Sequence, residues 1–216
     1  INNLHNYYNK IPPTTLLYDP VDLKYFKDTN KKDCISEINI KFNLSIKPKD
    51  KIILSVGGLR ESQNSGHIKI INLIKKNEID VDKFFIVGNG DDLNNIKNYV
   101  KKINLMNKVI FTGSVSNDML VLLYNISNVI SLISEFKEGK GIALPLVFIE
   151  ANSCGVPVIC GNQDGAQEAI DKNFPNGISV DPNNYEKISN AINRILNDPI
   201  YSRNSYLNAQ KFSYEN

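Results

Sequence analysis

From residue 51 onward the chain alternates short, unbroken apolar runs with stretches whose apolar positions recur at helical spacing. Ile52-Ile53-Leu54-Ser55-Val56 ends at Gly57-Gly58, Phe84-Phe85-Ile86-Val87 at Gly88-Asn89-Gly90, and Val109-Ile110-Phe111 at Thr112-Gly113. Val129 to Ile133, Pro157 to Cys160 and Gly177 to Val180 are further runs of the same kind. Between them His67, Ile70, Ile71 and Ile74 mark one amphipathic stretch and Leu93, Ile96, Val100 and Ile103 a second. Leu120, Leu123, Tyr124 and Ile126 mark a third, with Ser116 placed as its N-cap. Another helix opens at Pro145, and Ile188, Ile192, Ile195 and Leu196 carry the last of the series. Runs without polar alternation predict strands buried on both faces, which a parallel sheet covered by helices provides. The predicted fold class is α/β, a doubly wound parallel sheet with strand order 3-2-1-4-5-6.

The first 50 residues read differently. Asn2 to Pro13 is polar and turn-like, Thr14 to Tyr18 a short extended piece, and Lys32 to Leu44 a helix bearing Ile35, Ile38 and Phe42. At 216 residues the chain has room for one large α/β domain and not for two. Lys and Arg number 25 and Asp and Glu 23, and the resulting formal charge of +2 gives no electrostatic reason to propose nucleic acid. The lysines crowding the first quarter, Lys24 to Lys51, read as a solvated face. Cys34, Cys154 and Cys160 are odd in number and flanked by apolar residues, so they read as buried thiols in a reducing compartment. No run reaches the length of a membrane span and nothing at the N-terminus resembles a signal peptide. The chain opens on Ile1, so the expectation is a piece of a longer protein.

In a doubly wound sheet ligands collect at the carboxyl ends of the strands, and the loops there carry the candidate chemistry. Gly57-Gly58-Leu59-Arg60 lets backbone approach a diphosphate and supplies a guanidinium that can grip phosphate through two parallel hydrogen bonds. Lys137-Glu138-Gly139-Lys140-Gly141 leads into a helix whose first residues, Leu146 and Val147, present free N–H groups to an anion. Glu150 follows one turn later, placed to accept hydroxyl hydrogen bonds from a sugar attached to that anion. His67, alone at the start of an apolar-faced helix, reads as a packed or capping residue, and His5 carries no signal. Gly88-Asn89-Gly90-Asp91-Asp92 divides evenly between a plain turn and a ligand loop. Asp164 and Gln167 have capping-box spacing for a following helix, with Gly165 close to the ligand and Glu168 structural.

Taken together, Glu150-Ala151, Cys154-Gly155-Val156-Pro157-Val158, Gly57-Gly58-x-Arg60 and Gly66-His67 resemble the donor-binding signature of the retaining, nucleotide-sugar-dependent glycosyltransferases of the GT-B fold, family four. Thr15 to Asp22 resembles the entry into the Rossmann-like C-terminal half of those enzymes, and Phe212 to Asn216 the start of the helix that crosses back. The resemblance implies a connector over 1–50, a nucleotide-sugar donor-binding domain over 51–205 and the start of a crossover helix over 206–216. It implies Arg60 and Glu138 as catalytic residues, and Gly57, Gly58, Val115, Leu146, Val147 and Glu150 as substrate-binding residues, Val115 through its backbone at the nucleobase.

The implied partners are a nucleoside diphosphate sugar and a glycan or lipid-linked acceptor, the latter held by an N-terminal domain. No cofactor or metal is implied, and the location is cytoplasmic, with peripheral contact of the full protein at the inner membrane face left open. The sequence departs from the family pattern in two places. Ser65 stands where a second cation is expected, and Ile142, eight residues before Glu150, stands where a first carboxylate is expected, with Glu138 four residues earlier still. Those two positions keep open a non-catalytic pseudo-transferase with a regulatory or assembly role. A nicotinamide-dependent oxidoreductase is disfavoured, because no Gly-x-Gly-x-x-Gly follows the first apolar run.

Overall fold

The computed structural model describes residues 19–60, 66–135 and 143–214. Six strands, β1 (Ile52–Val56), β2 (Lys83–Val87), β3 (Val109–Gly113), β4 (Val129–Leu132), β5 (Val158–Gly161) and β6 (Gly177–Val180), form one sheet in the order β3-β2-β1-β4-β5-β6. Every pairing is parallel, so the α/β doubly wound sheet and its predicted strand order are both observed. The order reverses between β1 and β4, where Ile53 pairs with Val129 and Leu54 with Ile130.

Seven α-helices are present among the described residues: α1 (Lys31–Phe42), α2 (His67–Lys75), α3 (Leu93–Lys102), α4 (Asn117–Ile126), α5 (Leu146–Ser153), α6 (Tyr185–Asn197) and α7 (Ile200–Ala209). They divide between the two faces of the sheet. Ile52, Leu54 and Val56 point into a cluster with Ile38 of α1, Leu123 of α4 and Phe148 of α5. Ile53 points the other way, into a cluster with Ile70 of α2, Val100 of α3 and Ile192 of α6. That division is why the strand runs show no polar alternation: both faces are covered.

Local chemistry sets the helix ends. Asn30 caps α1 by accepting the Lys32 N–H at 3.0 Å, and Asn43 ends it in a left-handed conformation, φ 51°. Ser116 caps α4 by accepting from the Met119 N–H at 3.3 Å, as its position in the sequence predicts. Pro145, the predicted start, lies just outside α5 with extended backbone, so the helix begins one residue later, at Leu146. Asp164 does cap, through a 3.0 Å bond from the Ala166 N–H, but the element it starts is a short 3-10 turn, Gly165–Ala169.

Helix α7 has no counterpart in the hydrophobic pattern, and the boundary drawn at 205–206 falls inside it. Its buried side is largely polar. Asn208 donates to Asn152 Oδ1 at 3.0 Å and to the Ala169 carbonyl at 3.0 Å, while Asn204 donates to the Pro175 carbonyl at 3.0 Å. Burying amides is tolerable because each finds an acceptor. Phe212 closes a second 3-10 turn and is buried, and the next residue, Ser213, bridges to Val21 in parallel, tying the two ends of the described chain together. The piece Thr14–Tyr18 falls outside the described residues apart from the residues that follow it.

Candidate functional site

The carboxyl ends of β1, β2 and β3 carry three loops that are stitched to one another. The Gly57 N–H bonds the Val87 carbonyl at 3.0 Å, the Leu59 N–H bonds the Asn89 carbonyl at 3.0 Å, and the Gly88 N–H bonds the Gly113 carbonyl at 2.9 Å. Gly88 has φ +132°, and a Cβ there would lie 2.0 Å from the Gly57 carbonyl oxygen, so this approach requires glycine. The Asn89 amide lies 2.9 Å from the Ser114 hydroxyl. The Gly88-Asn89-Gly90 segment is thus engaged in holding its neighbours.

Two groups on these loops are left open. Arg60 is exposed and makes no hydrogen bond or ion pair among the described residues. Val115 is half-buried, and neither its N–H nor its C=O has a partner among the described residues. Both sit where the sequence reading expects ligand contacts, with Gly57 half-buried and Gly58 exposed beside them.

Across the switch point, α5 brings the other half. The N–H groups of Leu146 and Val147 have no acceptor among the described residues, whereas the Phe148 N–H already bonds the Pro145 carbonyl at 3.0 Å. Glu150, half-buried on the second turn, accepts a 2.7 Å hydrogen bond from the Tyr124 hydroxyl through Oε2. Its other oxygen has no partner among the described residues. Burial pushes the Glu150 carboxyl above its ordinary range, and the Tyr124 hydrogen bond offsets only part of this. Tyr124, wholly buried, is pushed well up by the same burial and by the neighbouring carboxylate.

His67 is not a general base in this arrangement. Its Nε2 lies 2.9 Å from Ser55 Oγ in the interior, and burial depresses its pKa to about 4. It is a packed histidine, as expected. Gly66, one residue earlier, has φ +79°, and a Cβ there would come within 2.8 Å of the Ile133 carbonyl oxygen. The start of α2 therefore rests directly on the end of β4.

The structure also shows contacts that pattern reading missed. Lys69 on the first turn of α2 is paired with Glu135, two residues beyond Ile133. Ser134 donates to Asp164 Oδ2 at 2.6 Å, joining the ends of β4 and β5. The one available signal was a lysine embedded in the apolar run His67-Ile68-Lys69-Ile70-Ile71. Glu138, Gly139 to Gly141, Ile142 and Ser65 lie outside the described residues, as does His5. Among the described residues, the three cysteines are free and buried, no helix is long and apolar enough to cross a membrane, and no group of three or more His, Cys, Asp or Glu could hold a metal ion.

Comparison with known proteins identifies the family and the fold. Residues 36–212 match the family described as glycosyl transferases group 1. An uncharacterised glycosyltransferase of Methanocaldococcus jannaschii is 29% identical over 179 residues, covering 83% of this chain and 44% of that protein. The UDP-Gal:alpha-D-GlcNAc-diphosphoundecaprenol alpha-1,3-galactosyltransferase of Escherichia coli is 29% identical over 210 residues, covering 91% and 51%. The chain thus spans about half the length of these curated relatives. Among solved structures, Anabaena HepE in complex with UDP and glucose matches with a TM-score of 0.73 at 20% identity, covering 92% of this chain and 53% of that one. At that identity the likeness concerns the fold.

Proposed function

Because the chain belongs to the glycosyl transferases of group 1, we propose that it is the donor-binding half of a retaining hexosyltransferase. The reaction is transfer of a hexose from a nucleoside diphosphate sugar to a glycan or lipid-linked acceptor, with the acceptor held by a separate N-terminal domain. One observation carries the reading. Glu150 is fixed by Tyr124 through one oxygen and, among the described residues, keeps the other open, one turn from a helix start whose Leu146 and Val147 N–H groups have no partner there. A helix start favours phosphate through its unpaired donors and its dipole, and a carboxylate one turn further in suits a ribose diol.

Arg60 and the helix start stabilise negative charge on the diphosphate as it leaves, a form of catalysis that requires no protein nucleophile. The backbone of Val115 meets the nucleobase, and the Gly57-Gly58 backbone lies against the phosphates. Glu138 contacts the transferred sugar. The E. coli relative's use of UDP-Gal and the HepE complex with UDP support a nucleotide sugar as donor. The diphosphoundecaprenol acceptor in that relative's name supports a cytoplasmic protein in peripheral contact with a membrane.

Titration calorimetry with uridine and guanosine diphosphates tests the assignment. Glu150→Ala is expected to weaken the better of the two by about 1–3 kcal/mol, the usual range for a hydrogen bond to a charged group. Affinity equal to wild type would sink it. The pseudo-transferase reading is favoured by Ile142 and Ser65 alone. Extending the titration to the nucleotide sugar decides it: a sugar that adds no affinity, joined to absent transfer by the full-length protein, selects the non-catalytic role.

A further inference from the structure

Ion pairs among the described residues are mostly surface features. Lys51–Asp80, Lys76–Glu78 and Lys211–Asp171 each keep one side chain well exposed, at 79%, 61% and 56% respectively. Lys69–Glu135 is different, with the two side chains only 10% and 7% exposed. A buried pair must overcome the desolvation of both ions, and replacing one by apolar residues of similar volume is often neutral or stabilising. Stability therefore does not explain why this chain keeps a lysine in the otherwise apolar run of α2.

Location does. Glu135 follows β4 and Lys69 lies on the first turn of α2, the helix entered from β1 through the segment that carries Arg60. β1 and β4 are the neighbours at which the strand order reverses, the place where open α/β sheets take their ligands. The same junction is held a second time, where Gly66 packs on Ile133 and the Lys69 N–H bonds the Gly66 carbonyl at 3.1 Å. Backbone and side chain together fix the start of α2 against the end of β4.

We propose that Lys69 and Glu135 are positioning residues of the donor site. The pair holds the start of α2 against the end of β4, the two elements that flank the switch point, so that the donor site keeps its width around a diphosphate. The inference rests on the donor-site reading above. It adds residues that act through the elements they join, without touching the ligand.

The test compares the affinity of a nucleoside diphosphate with that of its bare nucleoside, UDP against uridine or GDP against guanosine according to which base binds. That ratio isolates the phosphate grip from the base pocket. In Lys69→Met/Glu135→Leu the melting temperature is expected to stay within a few degrees of wild type while the ratio falls about tenfold or more. In the reversed pair, Lys69→Glu/Glu135→Lys, most of the ratio is expected to return. A wild-type ratio in the apolar variant, or a collapsed ratio in a folded reversed pair, overturns the proposal. Should neither double variant fold, Glu135→Gln keeps the shape and a hydrogen bond, and an undiminished ratio there overturns it equally. The two readings fail separately. Wild-type protein that binds neither diphosphate removes the donor site and the positioning role together, whereas binding with an insensitive ratio removes the positioning role alone.

Discussion

The two edges of the sheet use polar residues in opposite ways. At the amino edge, a cavity of about 450 Å³ is lined by Asp28, Asn125, Ser127, Asn128, Cys154 and Ser202 among others. Nearly every polar side chain there is consumed by backbone. Asn125 accepts the Thr29 N–H at 2.7 Å and donates to the Lys27 and Val121 carbonyls, Asn128 accepts the Ile52 N–H, Ser127 donates to the Leu123 carbonyl, and Ser202 donates to the Gly155 carbonyl. Cys154, whose thiol burial pushes up to about 12, is an inert part of the same lining. At the carboxyl edge, Arg60, the Val115 backbone, one oxygen of Glu150 and two helix N–H groups are left open among the described residues. A cavity marks the first edge and unspent hydrogen-bonding capacity the second. The unspent capacity is what a ligand can use.

The largest effect expected from that contrast is on the acid limb of stability. His67 is held neutral beneath the carboxyl edge with its pKa depressed to about 4, while an unfolded histidine titrates near 6.5. Between those values the unfolded chain binds the extra proton, so stability is complete above about pH 6.5 and falls as pH drops towards 4. The shift corresponds to about 3 kcal/mol at the bottom of the window. His67→Gln, whose amide can still pair with Ser55, is expected to lose that dependence. Urea melts at several pH values across the window compare the two proteins. Parallel pH profiles would show that the histidine is solvated and that the carboxyl edge is less closed than its burial indicates.

The amino edge is sharpened by Asn125→Leu. Removing an amide that serves Thr29, Lys27 and Val121 breaks three part-buried hydrogen bonds and is expected to cost about 1–3 kcal/mol. Affinity of the remaining folded protein for a nucleoside diphosphate should not change. A loss of binding with stability preserved would reverse the roles assigned to the two edges.

Much of this was legible in the chain because buried parallel strands write themselves as unbroken apolar runs. The six strands, their order and the packed character of His67 follow from that pattern. Helix α7 was not legible, since Asn204 and Asn208 on its buried side satisfy their hydrogen bonds across the fold, Ser205 bonds back to the Tyr201 carbonyl, and a periodicity search counts all three as exposed. The candidate site divides the same way. Arg60, Leu146, Val147 and Glu150 could be proposed because glycines and a helix start announce a ligand loop. Tyr124 and Glu135 could not, because their roles depend on partners 26 and 66 residues distant. Only the fold brings those partners together.

The smallest expected effect bears most directly on the use of the carboxyl edge. Glu150 is ionised for binding in a place that penalises the charge, chiefly through burial. A carboxyl whose folded pKa is raised binds its proton more tightly in the native state, so stability is greatest below the unfolded value near 4.5 and declines as pH rises through the window up to the raised value. Above that window the ionised group is a standing cost to the fold. Glu150→Gln removes the charge, and its amide oxygen can still accept from the Tyr124 hydroxyl. The variant is expected to equal wild type in stability below the window and to exceed it slightly at neutral pH. Nucleoside diphosphate affinity should move the other way, because a neutral amide is a weaker acceptor for ribose hydroxyls than a carboxylate. Melts at acid and neutral pH, read alongside calorimetry, test both signs. A glutamine variant that gains stability and keeps full affinity would show that the charge at Glu150 serves neither the fold nor the ribose, and the contrast between the two edges would then rest on Arg60 and the helix start.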